Sequence, residues 1–267
     1  MVSLYGMNND FLKDLNKEQL DAVTQKDGPM IILAGAGSGK TRVLTYKVIS
    51  LMKSGIDSSN ILMVTFTNKA ATEMKERMAK FFEKEGQKIS SLPTIATFHA
   101  LCAKILRIEG QNIGIPKNFL IYDSQDQKDA IKECFNLLGI SIKEYKPSSV
   151  LNYISGAKNE LIDEKQYSLF AKGHFQEIVS KVYIVYQKLL KENAALDFDD
   201  LILKTVELFK KNPQVLEKYQ NKFQYILVDE YQDTNHAQYL LTKLLSGKFN
   251  NVCVVGDFSQ SIYSFRG

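Results

Sequence analysis

Cysteine is scarce in this 267-residue sequence, which has only three. Cys102, Cys134 and Cys253 lie far apart, are odd in number and lack metal-ligand spacing, so the sequence indicates neither a disulfide framework nor a zinc site. The histidines are also separated and form no ligand cluster: they are His99, His174 and His236. We therefore expect a protein of the reducing cytoplasm.

Long hydrophobic runs are missing as well. No apolar segment approaches the roughly 20 residues that a membrane-spanning helix needs, and the first residues lack the basic flank and apolar stretch of a signal peptide. The hydrophobic content of 45% and charged content of 24% are typical of a soluble globular protein. The length predicts roughly two domains, and we expect no membrane partner.

Arginine is much rarer than lysine, because only four of the 34 strongly basic residues are arginines. The net charge of +4 indicates a polyanionic partner only weakly. The planar guanidinium group fits phosphate better than an ammonium group does, so a lysine-rich chain can keep arginine where geometry matters, although chance placement would look the same. The four are Arg42, Arg77, Arg107 and Arg266.

The most informative stretch is Met30 to Thr41, where four apolar residues precede glycines and small residues, then Lys40 and Thr41. A short buried strand, a glycine-rich loop and a helix start form the phosphate-binding P-loop arrangement. Backbone N–H groups would bind phosphates, Lys40 would reach the terminal phosphates and Thr41 would bind Mg²⁺. The strict pattern has glycine in place of Ala34, so an ordinary glycine-rich turn is the alternative. The candidate nucleotide-binding residues are Ala34, Gly35, Ala36, Gly37, Ser38, Gly39, Lys40, Thr41 and Arg42.

A second apolar segment, Tyr225 to Val228, ends in the two carboxylates of Asp229 and Glu230. Charge at the end of a buried strand is unusual unless something binds there. With a P-loop upstream, Asp229 would hold Mg²⁺ and Glu230 would polarise the attacking water as general base. The alternative is an exposed acidic turn.

Two roles are open for Gln19. Asn16 and Gln19 have the spacing of a capping box at the start of a helix that runs to Val23. The same carboxamide is both donor and acceptor, so it could also read the edges of an adenine. The residues alone favour capping.

Strands alternate with helices in the first third of the chain. Ile61 to Thr65 and Thr94 to Thr97 are strand candidates, followed by helices over 70–78 and up to Arg107. This alternation predicts a parallel sheet covered on both faces, with ligands at the carboxyl ends of the strands. An aromatic side chain beside a cation and hydroxyl groups can stack on a base and bind a phosphate. The alternatives are core packing for the phenylalanines and a structural role for the histidine. The side chains at these strand ends are Phe66, Thr67, Asn68, Lys69, Phe98 and His99.

Helical spacing dominates residues 108–195. A capping box at Ser124 and Gln127 predicts one helix, and further helices are expected over 149–161 and 174–192. This predicts an all-helical insertion, in which Tyr183 and Tyr186 pack in the core or between domains. Carboxylates over 197–200 open the next helix, and capping explains them without a metal.

The last strand candidate, over 251–255, leads into the segment 256–267. Gln260 follows the end of this strand, where its carboxamide can meet a γ-phosphate. Tyr263, Phe265 and Arg266 offer two aromatic faces and a cation to a nucleic-acid strand.

On these residues the sequence resembles the amino-terminal half of the UvrD/PcrA/Rep family of superfamily 1 DNA helicases. Seven segments follow the order of that family's motifs, from the Q motif to motif III: 15–19, 34–41, 65–73, 97–99, 197–202, 228–235 and 256–267. In that family Ala34 is an ordinary variant, and the resemblance implies that Gln19 contacts adenine. It also implies contacts with single-stranded DNA for Phe66, Thr67, Asn68, Thr97, Phe98, His99, Tyr263, Phe265 and Arg266.

The resemblance implies a fold as well, namely a RecA-like P-loop domain with a parallel sheet that is interrupted by an all-helical subdomain. Residues 1–107 and 196–267 would form domain 1A, and residues 108–195 would form subdomain 1B. Such relatives are ATP-driven, Mg²⁺-dependent translocases that move 3′ to 5′ on single-stranded DNA, unwind duplex DNA at single-strand junctions and serve DNA repair. Ser259 stands where aspartate is usual, and Phe265 stands where tryptophan is usual.

Motifs IV to VI of that family are not found in these residues. They lie on a second RecA-like domain, which supplies arginines to the γ-phosphate, so we expect the 267 residues to bind Mg·ATP and single-stranded DNA, to hydrolyse ATP slowly and not to unwind. The alternatives are a nucleotide-binding module without appreciable hydrolysis and an unrelated P-loop ATPase. The expected catalytic residues are Lys40, Thr41, Asp229, Glu230 and Gln260.

Overall fold

The computed structural model describes residues 10–35, 37–86 and 91–257. They form two compact units, each assembled from segments that are distant in sequence. The first unit contains the described residues of 10–97, 218–232 and 245–257, and the second contains 98–217 and 233–244. The first unit therefore gives way to the second after Thr97, and residues 196–217 belong to the second unit.

The secondary structure alternates as the sequence predicts. The described residues form seven strands: β1 Met30–Leu33, β2 Ile61–Thr65, β3 Thr94–Thr97, β4 Leu120–Tyr122, β5 Ala195–Asp197, β6 Tyr225–Val228 and β7 Val252–Gly256. They also form eleven α-helices: α1 Lys17–Thr24, α2 Lys40–Lys53, α3 Asn68–Lys84, α4 Phe98–Glu109, α5 Ser124–Leu138, α6 Pro147–Asn159, α7 Glu164–Phe170, α8 His174–Glu192, α9 Phe198–Lys211, α10 Pro213–Lys222 and α11 His236–Ser246.

A five-stranded sheet in the order β1-β7-β6-β2-β3 organises the first unit. Every described pair in it is parallel, which confirms the predicted α/β class. Helices α2 and α3 pack on the sheet through a continuous apolar core, in which Leu44, Val48 and Met74 contact strand residues such as Met63 and Leu227. Because the strands are parallel, the carboxyl ends of β1, β2, β6 and β7 lie at one edge of the sheet.

Strand β1 is only half buried, so the prediction of a buried strand is wrong for two of its residues. Met30 and Ile32 pack against the core of the first unit, whereas Ile31 is 69% exposed and Leu33 is 65% exposed. The reason lies in the order of the strands. Among the described strands β1 pairs with β7 alone and stands at the edge of the sheet, a position that a run of four apolar residues does not reveal.

Helix α1 is fixed beside the sheet by a buried lysine. The Nζ of Lys47 on α2 donates to the carbonyl oxygens of Ala22, at 2.9 Å, and Gln25, at the carboxyl end of α1. A cation is favourable there because the helix dipole is negative at its carboxyl end. Burial lowers the pKa of Lys47, although its neighbours Cys253 and Asp27 act in the opposite direction.

The second unit has its own helical core. Helices α5, α6 and α8 supply most of it, including Phe135, Ile154 and Val182. Tyr183 and Tyr186 are fully buried in this core, as the sequence suggests. None of the described helices is long and apolar enough to cross a membrane.

The segment predicted to be all-helical also contains strand structure. Strands β4 and β5 pair in parallel over three residues each, with Leu120 opposite Ala195. Strands this short carry no detectable periodicity, which is why the sequence pattern missed them. The cap of α5 is also shifted by one residue from the prediction, because the capping box joins Asp123 and Asp126 rather than Ser124 and Gln127.

A buried ion cluster stabilises the start of α9. Asp197 and Asp200 form the capping box of this helix, as expected, but both also bind Lys158 of α6. The Lys158 Nζ lies 2.6 Å from Asp197 Oδ2 and 2.9 Å from Asp200 Oδ1, and all three side chains are at most 1% exposed. The Tyr186 hydroxyl donates to Asp197 Oδ2 at 3.0 Å. Burial alone would lower the pKa of Lys158, but the two carboxylates raise it.

Candidate functional site

The glycine-rich loop between β1 and α2 depends on left-handed backbone conformations. Gly37 has φ = 71° and Gly39 has φ = 84°, values that L side chains rarely adopt. Gly39 is the N-cap of α2, so the helix starts at Lys40 with its N-terminal N–H groups beside the loop. The Ser38 hydroxyl donates to the Gly35 carbonyl at 2.7 Å and fixes the turn. Ala36 lies outside the described residues.

Ala34 causes no conflict with a P-loop. It is not among the residues with positive φ, and its N–H donates to the Gly256 carbonyl at 3.1 Å across to β7. The backbone at this position therefore continues the sheet, where alanine and glycine serve equally. The departure from the strict pattern has no consequence for the geometry of the loop.

Lys40 folds back over the loop. Its Nζ donates to the carbonyl oxygens of Ala34 at 3.2 Å and Gly35 at 3.4 Å, and it lies 3.7 Å from Asp257 Oδ2. The ammonium group is thus held at the concave side of the loop, at the carboxyl ends of β1 and β7. A lysine in this position is suited to bind the terminal phosphates of a nucleotide.

The loop and the acidic end of β6 meet at one point. The Thr41 hydroxyl donates to Asp229 Oδ2 at 3.5 Å, although the two residues are 188 positions apart in sequence. Adjacent ligands of one Mg²⁺ ion, each about 2.1 Å from the metal, lie about 3 Å apart. The two oxygen donors therefore fit a single Mg²⁺ ion after a small adjustment.

The positive charge near Asp229 does not offset the burial of this side chain and the neighbouring carboxylate. The side chain is 2% exposed, and burial, together with the negative charge of Glu230, raises its pKa to about 6. Lys40 and the Thr41 hydroxyl act in the opposite direction but do not cancel these effects. A bound divalent cation would supply further positive charge.

Glu230 is half buried and has a left-handed backbone conformation with φ = 52°. Its carboxylate accepts a hydrogen bond from Gln232, whose Nε2 lies 2.9 Å from Glu230 Oε2. Neither Gln232 nor Asp257 stands out in the sequence as a site residue. The signal was weak, since a glutamine within an acidic segment and an aspartate just after a strand are both common at solvated turns.

Gln19 performs the capping role, one of the two that the sequence left open, and also contacts the glycine-rich loop. Its Oε1 accepts from the Asn16 N–H at 3.2 Å, and Asn16 Oδ1 accepts from the Gln19 N–H at 2.8 Å, so the predicted capping box is confirmed. Its Nε2 donates to the Ser38 carbonyl at 3.0 Å and so reaches the glycine-rich loop. The side chain stands beside the loop, where an adenine contact stays a prediction.

Arg42 follows the loop on the first turn of α2. Its Nη2 lies 3.6 Å from Asp14 Oδ2, and its guanidinium carbon lies 5.2 Å from the centroid of the Tyr46 ring. The side chain is 40% exposed. It remains accessible to a ligand that approaches from solvent.

The residues expected to contact DNA differ in exposure. At the end of β2, Phe66 is half buried, and Thr67 and Asn68 are exposed, with Thr67 Oγ1 accepting from the Ala70 N–H as the cap of α3. At the end of β3, Thr97 is 8% exposed and Phe98, the first residue of α4, is 3% exposed. The Phe98 ring is therefore packed inside its unit in this conformation.

His99 packs against an aromatic neighbour in the second unit. Its ring meets the Phe198 ring edge to face, with centroids 5.8 Å apart. Burial lowers the pKa of His99 and so favours the neutral imidazole. The remaining candidates, Gln260 for the γ-phosphate and Tyr263, Phe265 and Arg266 for DNA, lie outside the described residues, as does Ser259.

The cysteines and histidines form no further site in the structure. Cys102, Cys134 and Cys253 are free thiols in the interior, and burial raises their pKa to about 12, about 12 and about 11, respectively. No group of three or more His, Cys, Asp or Glu side chains is arranged for a metal ion within the described part of the chain. Mg²⁺ at Thr41 and Asp229 would take further ligands from phosphate and water, as Mg²⁺ usually does.

The sequence is similar to a family of known proteins. The family model described as UvrD/REP helicase N-terminal domain matches residues 15–267. The chain is 50% identical over 262 residues to the ATP-dependent DNA helicase PcrA of Bacillus subtilis (strain 168), and the match covers 98% of this chain and 35% of that protein. It is 49% identical over 260 residues to the PcrA helicases of Staphylococcus aureus (strain Mu50) and Staphylococcus epidermidis, covering 97% of this chain and 35% of each relative. The chain thus spans about a third of the length of these relatives.

Proposed function

Because the chain belongs to the UvrD/REP helicase N-terminal domain family, we propose that it is the ATP-binding, amino-terminal portion of an ATP-dependent DNA helicase. Its relatives carry that name, and the proposal for this chain rests on the pocket at the carboxyl edge of the sheet. The single observation that carries it is the 3.5 Å contact between Thr41 Oγ1 and Asp229 Oδ2. That contact brings the glycine-rich loop and the acidic strand end within reach of one Mg·ATP.

The residues of the pocket have separate roles in this proposal. Backbone N–H groups over 35–41 bind the phosphates, and Lys40 neutralises charge on the terminal ones. Thr41 and Asp229 hold Mg²⁺, which supplies charge stabilisation to the phosphates. Glu230 accepts the proton of the attacking water as the bond from water oxygen to the γ-phosphorus forms and the bond from that phosphorus to the β–γ bridging oxygen breaks.

For DNA we propose a track along the carboxyl edge of the sheet. Phe66, Thr67 and Asn68 at the end of β2 combine an aromatic face with exposed polar groups, as single-strand binding requires. As separate proposals, Thr97, Phe98 and His99 are DNA contacts, and so are Tyr263, Phe265 and Arg266 near the end of the sequence. We also propose that the complete helicase moves 3′ to 5′ along single-stranded DNA and opens duplex at junctions.

We propose further that efficient hydrolysis needs arginines from a second RecA-like domain. An arginine finger contributes about 10³- to 10⁵-fold to the rate of phosphoryl transfer. The 267 residues handled alone should therefore bind Mg·ATP and single-stranded DNA, turn ATP over slowly and leave duplex DNA intact. Turnover of these residues at ordinary helicase rates, stimulated by DNA, would contradict this part.

The test of the proposed function is Glu230→Gln, which keeps the shape of the side chain and removes the base. Affinity for a fluorescent ATP analogue with Mg²⁺ should stay within about threefold, because Glu230 contacts water rather than phosphate. Single-turnover hydrolysis should fall by about 10²-fold or more, the usual contribution of a general base. Lys40→Ala should instead abolish nucleotide binding.

The matched control is Glu192→Gln at the carboxyl end of α8, whose side chain is 64% exposed. It removes the same charge far from the pocket in sequence and should change neither measurement. If Glu230→Gln hydrolyses ATP as wild type does, the chain is a nucleotide-binding module without a general base. If Lys40→Ala still binds the analogue, the pocket is not a nucleotide site.

A further inference from the structure

The side-chain amide of Gln232 joins the ends of two neighbouring strands. Its Oε1 accepts from the backbone N–H of Asp257, just after β7, at 2.9 Å. Its Nε2 donates to Glu230 Oε2, just after β6, at 2.9 Å. Because a backbone N–H can only donate, it fixes the orientation of the amide and turns the NH₂ group towards the carboxylate.

Because Gly256 has no side chain, the amide of Gln232 has room beside it. A Cβ atom on Gly256 would lie 2.8 Å from Gln232 Oε1 and 3.3 Å from the Gln232 backbone nitrogen, both closer than ordinary contact. Gly256 is not among the glycines with positive φ, so its backbone does not demand glycine. The close approach of Gln232 is therefore the reason for a glycine in this strand.

The backbone of Glu230 lies beyond the paired residues of β6. The residue follows the end of this strand in a left-handed conformation with φ = 52°, where its backbone takes no part in the sheet ladder. Its N–H is bound by the neighbouring Asp229 Oδ1 at 3.1 Å. The Gln232 amide therefore donates to the carboxylate of a residue whose backbone the sheet ladder does not hold in place.

We propose that Gln232 is a positioning residue, which holds the Glu230 carboxylate at the place where it accepts a proton. This inference rests on the proposed function, in which Glu230 is the general base. Through Asp257, which lies 3.7 Å from the Lys40 Nζ, the same amide connects the base to the loop lysine. A misplacement of about 1 Å in such a site can lower the rate about 10²-fold, so removal of the amide should act on catalysis more than on binding.

The test compares Gln232→Met and Gln232→Glu with wild type, all as the full 267-residue chain. Methionine keeps the length of the side chain and removes both hydrogen bonds. Glutamate can still accept from the Asp257 N–H, but it turns a carboxylate towards Glu230. In single-turnover assays with excess protein, both should lower the hydrolysis rate roughly 10- to 100-fold, while the Kd for the Mg²⁺ complex of a fluorescent ATP analogue stays within about threefold.

Gly256→Ala provides an independent test of the positioning role of Gln232. In the wild-type background the new methyl group displaces the amide, so the hydrolysis rate should fall as in Gln232→Met. In a Gln232→Ala background the 2.8 Å conflict with Oε1 is gone and the 3.3 Å approach to the backbone nitrogen remains, so Gly256→Ala should reduce the rate less than it does in wild type, and the two changes should be non-additive. Gln166→Ala, which removes the capping glutamine of α7, is the control for loss of a glutamine and should leave the rate unchanged.

The outcomes separate this inference from the proposed function. If Glu230→Gln loses hydrolysis while Gln232→Met retains it, the positioning role of Gln232 is wrong, and Glu230 is still supported as the general base. If Gln232→Met lowers the Tm and nucleotide affinity in step with the rate, Gln232 is a structural residue and the inference is overturned. If Glu230→Gln hydrolyses ATP normally, the proposed function itself fails, whatever Gln232 does.

Discussion

Replacing Lys158 by methionine should destabilise the second unit severely. The side chain is fully buried, with its Nζ 2.6 Å from Asp197 Oδ2 and 2.9 Å from Asp200 Oδ1. Methionine has a similar length but no charge, so the variant leaves two carboxylates in the interior without their cation. Breaking a buried ion pair from one side destabilises a protein by about 3–5 kcal/mol.

The loss should depend on pH. Burial and the charge of Asp197 already raise the pKa of Asp200. Without Lys158 that pKa rises further, so the folded variant holds a proton more tightly than its unfolded chain does. Its stability should therefore fall as pH increases, and the deficit relative to wild type should be smaller near pH 5 than at pH 8.

Hydrogen exchange measured by mass spectrometry suits this test, because it reports on α6, α8 and α9 separately from the first unit. Peptides from these helices should exchange far faster in Lys158→Met than in wild type. Lys132→Met is the control, since Lys132 lies 2.7 Å from Asp129 but both side chains are about half exposed, and it should change little. Wild-type protection in Lys158→Met would refute the reasoning.

Asp197→Asn should restore part of the protection lost in Lys158→Met. The double variant removes one of the two unpaired charges, and asparagine remains a good N-cap for α9. A double variant less protected than Lys158→Met would show that repulsion between the carboxylates is not the cause.

Three further predictions concern the first unit. The raised pKa of Asp229 means that stability without Mg²⁺ falls by up to about 3 kcal/mol as pH rises from about 4 to about 6; Asp229→Asn should flatten this dependence in urea unfolding and lose stabilisation by Mg²⁺. Gln19→Ala and Asn16→Ala both remove the capping box of α1. In competition binding, only Gln19→Ala should reduce the preference for ATP over GTP. Equal effects of the two variants would mean that capping is the only role of Gln19. Tyr225→Phe deletes the 2.7 Å hydrogen bond to Asp27 and should cost about 1 kcal/mol of unfolding free energy, with an unchanged denaturation midpoint as the contrary result.

The sequence predicts most of the sheet because its signals are local. The strands Ile61–Thr65, Thr94–Thr97 and the helix His174–Glu192 are found at the predicted residues. The first is an apolar run, the second is short and rich in β-branched residues, and the helix has a long 3.6-residue periodicity, all of which are local signals. The box of Asn16 and Gln19 was predictable for the same reason, since its partners are three residues apart.

What the sequence could not predict depends on contacts between distant residues. The exposed face of β1 follows from the order of the strands, and the cluster around Lys158 joins residues 39 positions apart. The role of Gln232 needs Asp257, which is 25 positions away, and the room left by Gly256. The three residues lie in two motif-like segments that are far apart in sequence, and only the folded arrangement brings them together.

The burial of all three thiols makes this chain convenient for optical work. Thiolates are the reactive form of cysteine, and none of these groups ionises near neutral pH or meets solvent. A maleimide dye should therefore not label the thiols of the native chain. Asn68→Cys, on the exposed first turn of α3, would then carry the only dye and could report on nucleic acid arriving at that end of the sheet without prior removal of any native residue.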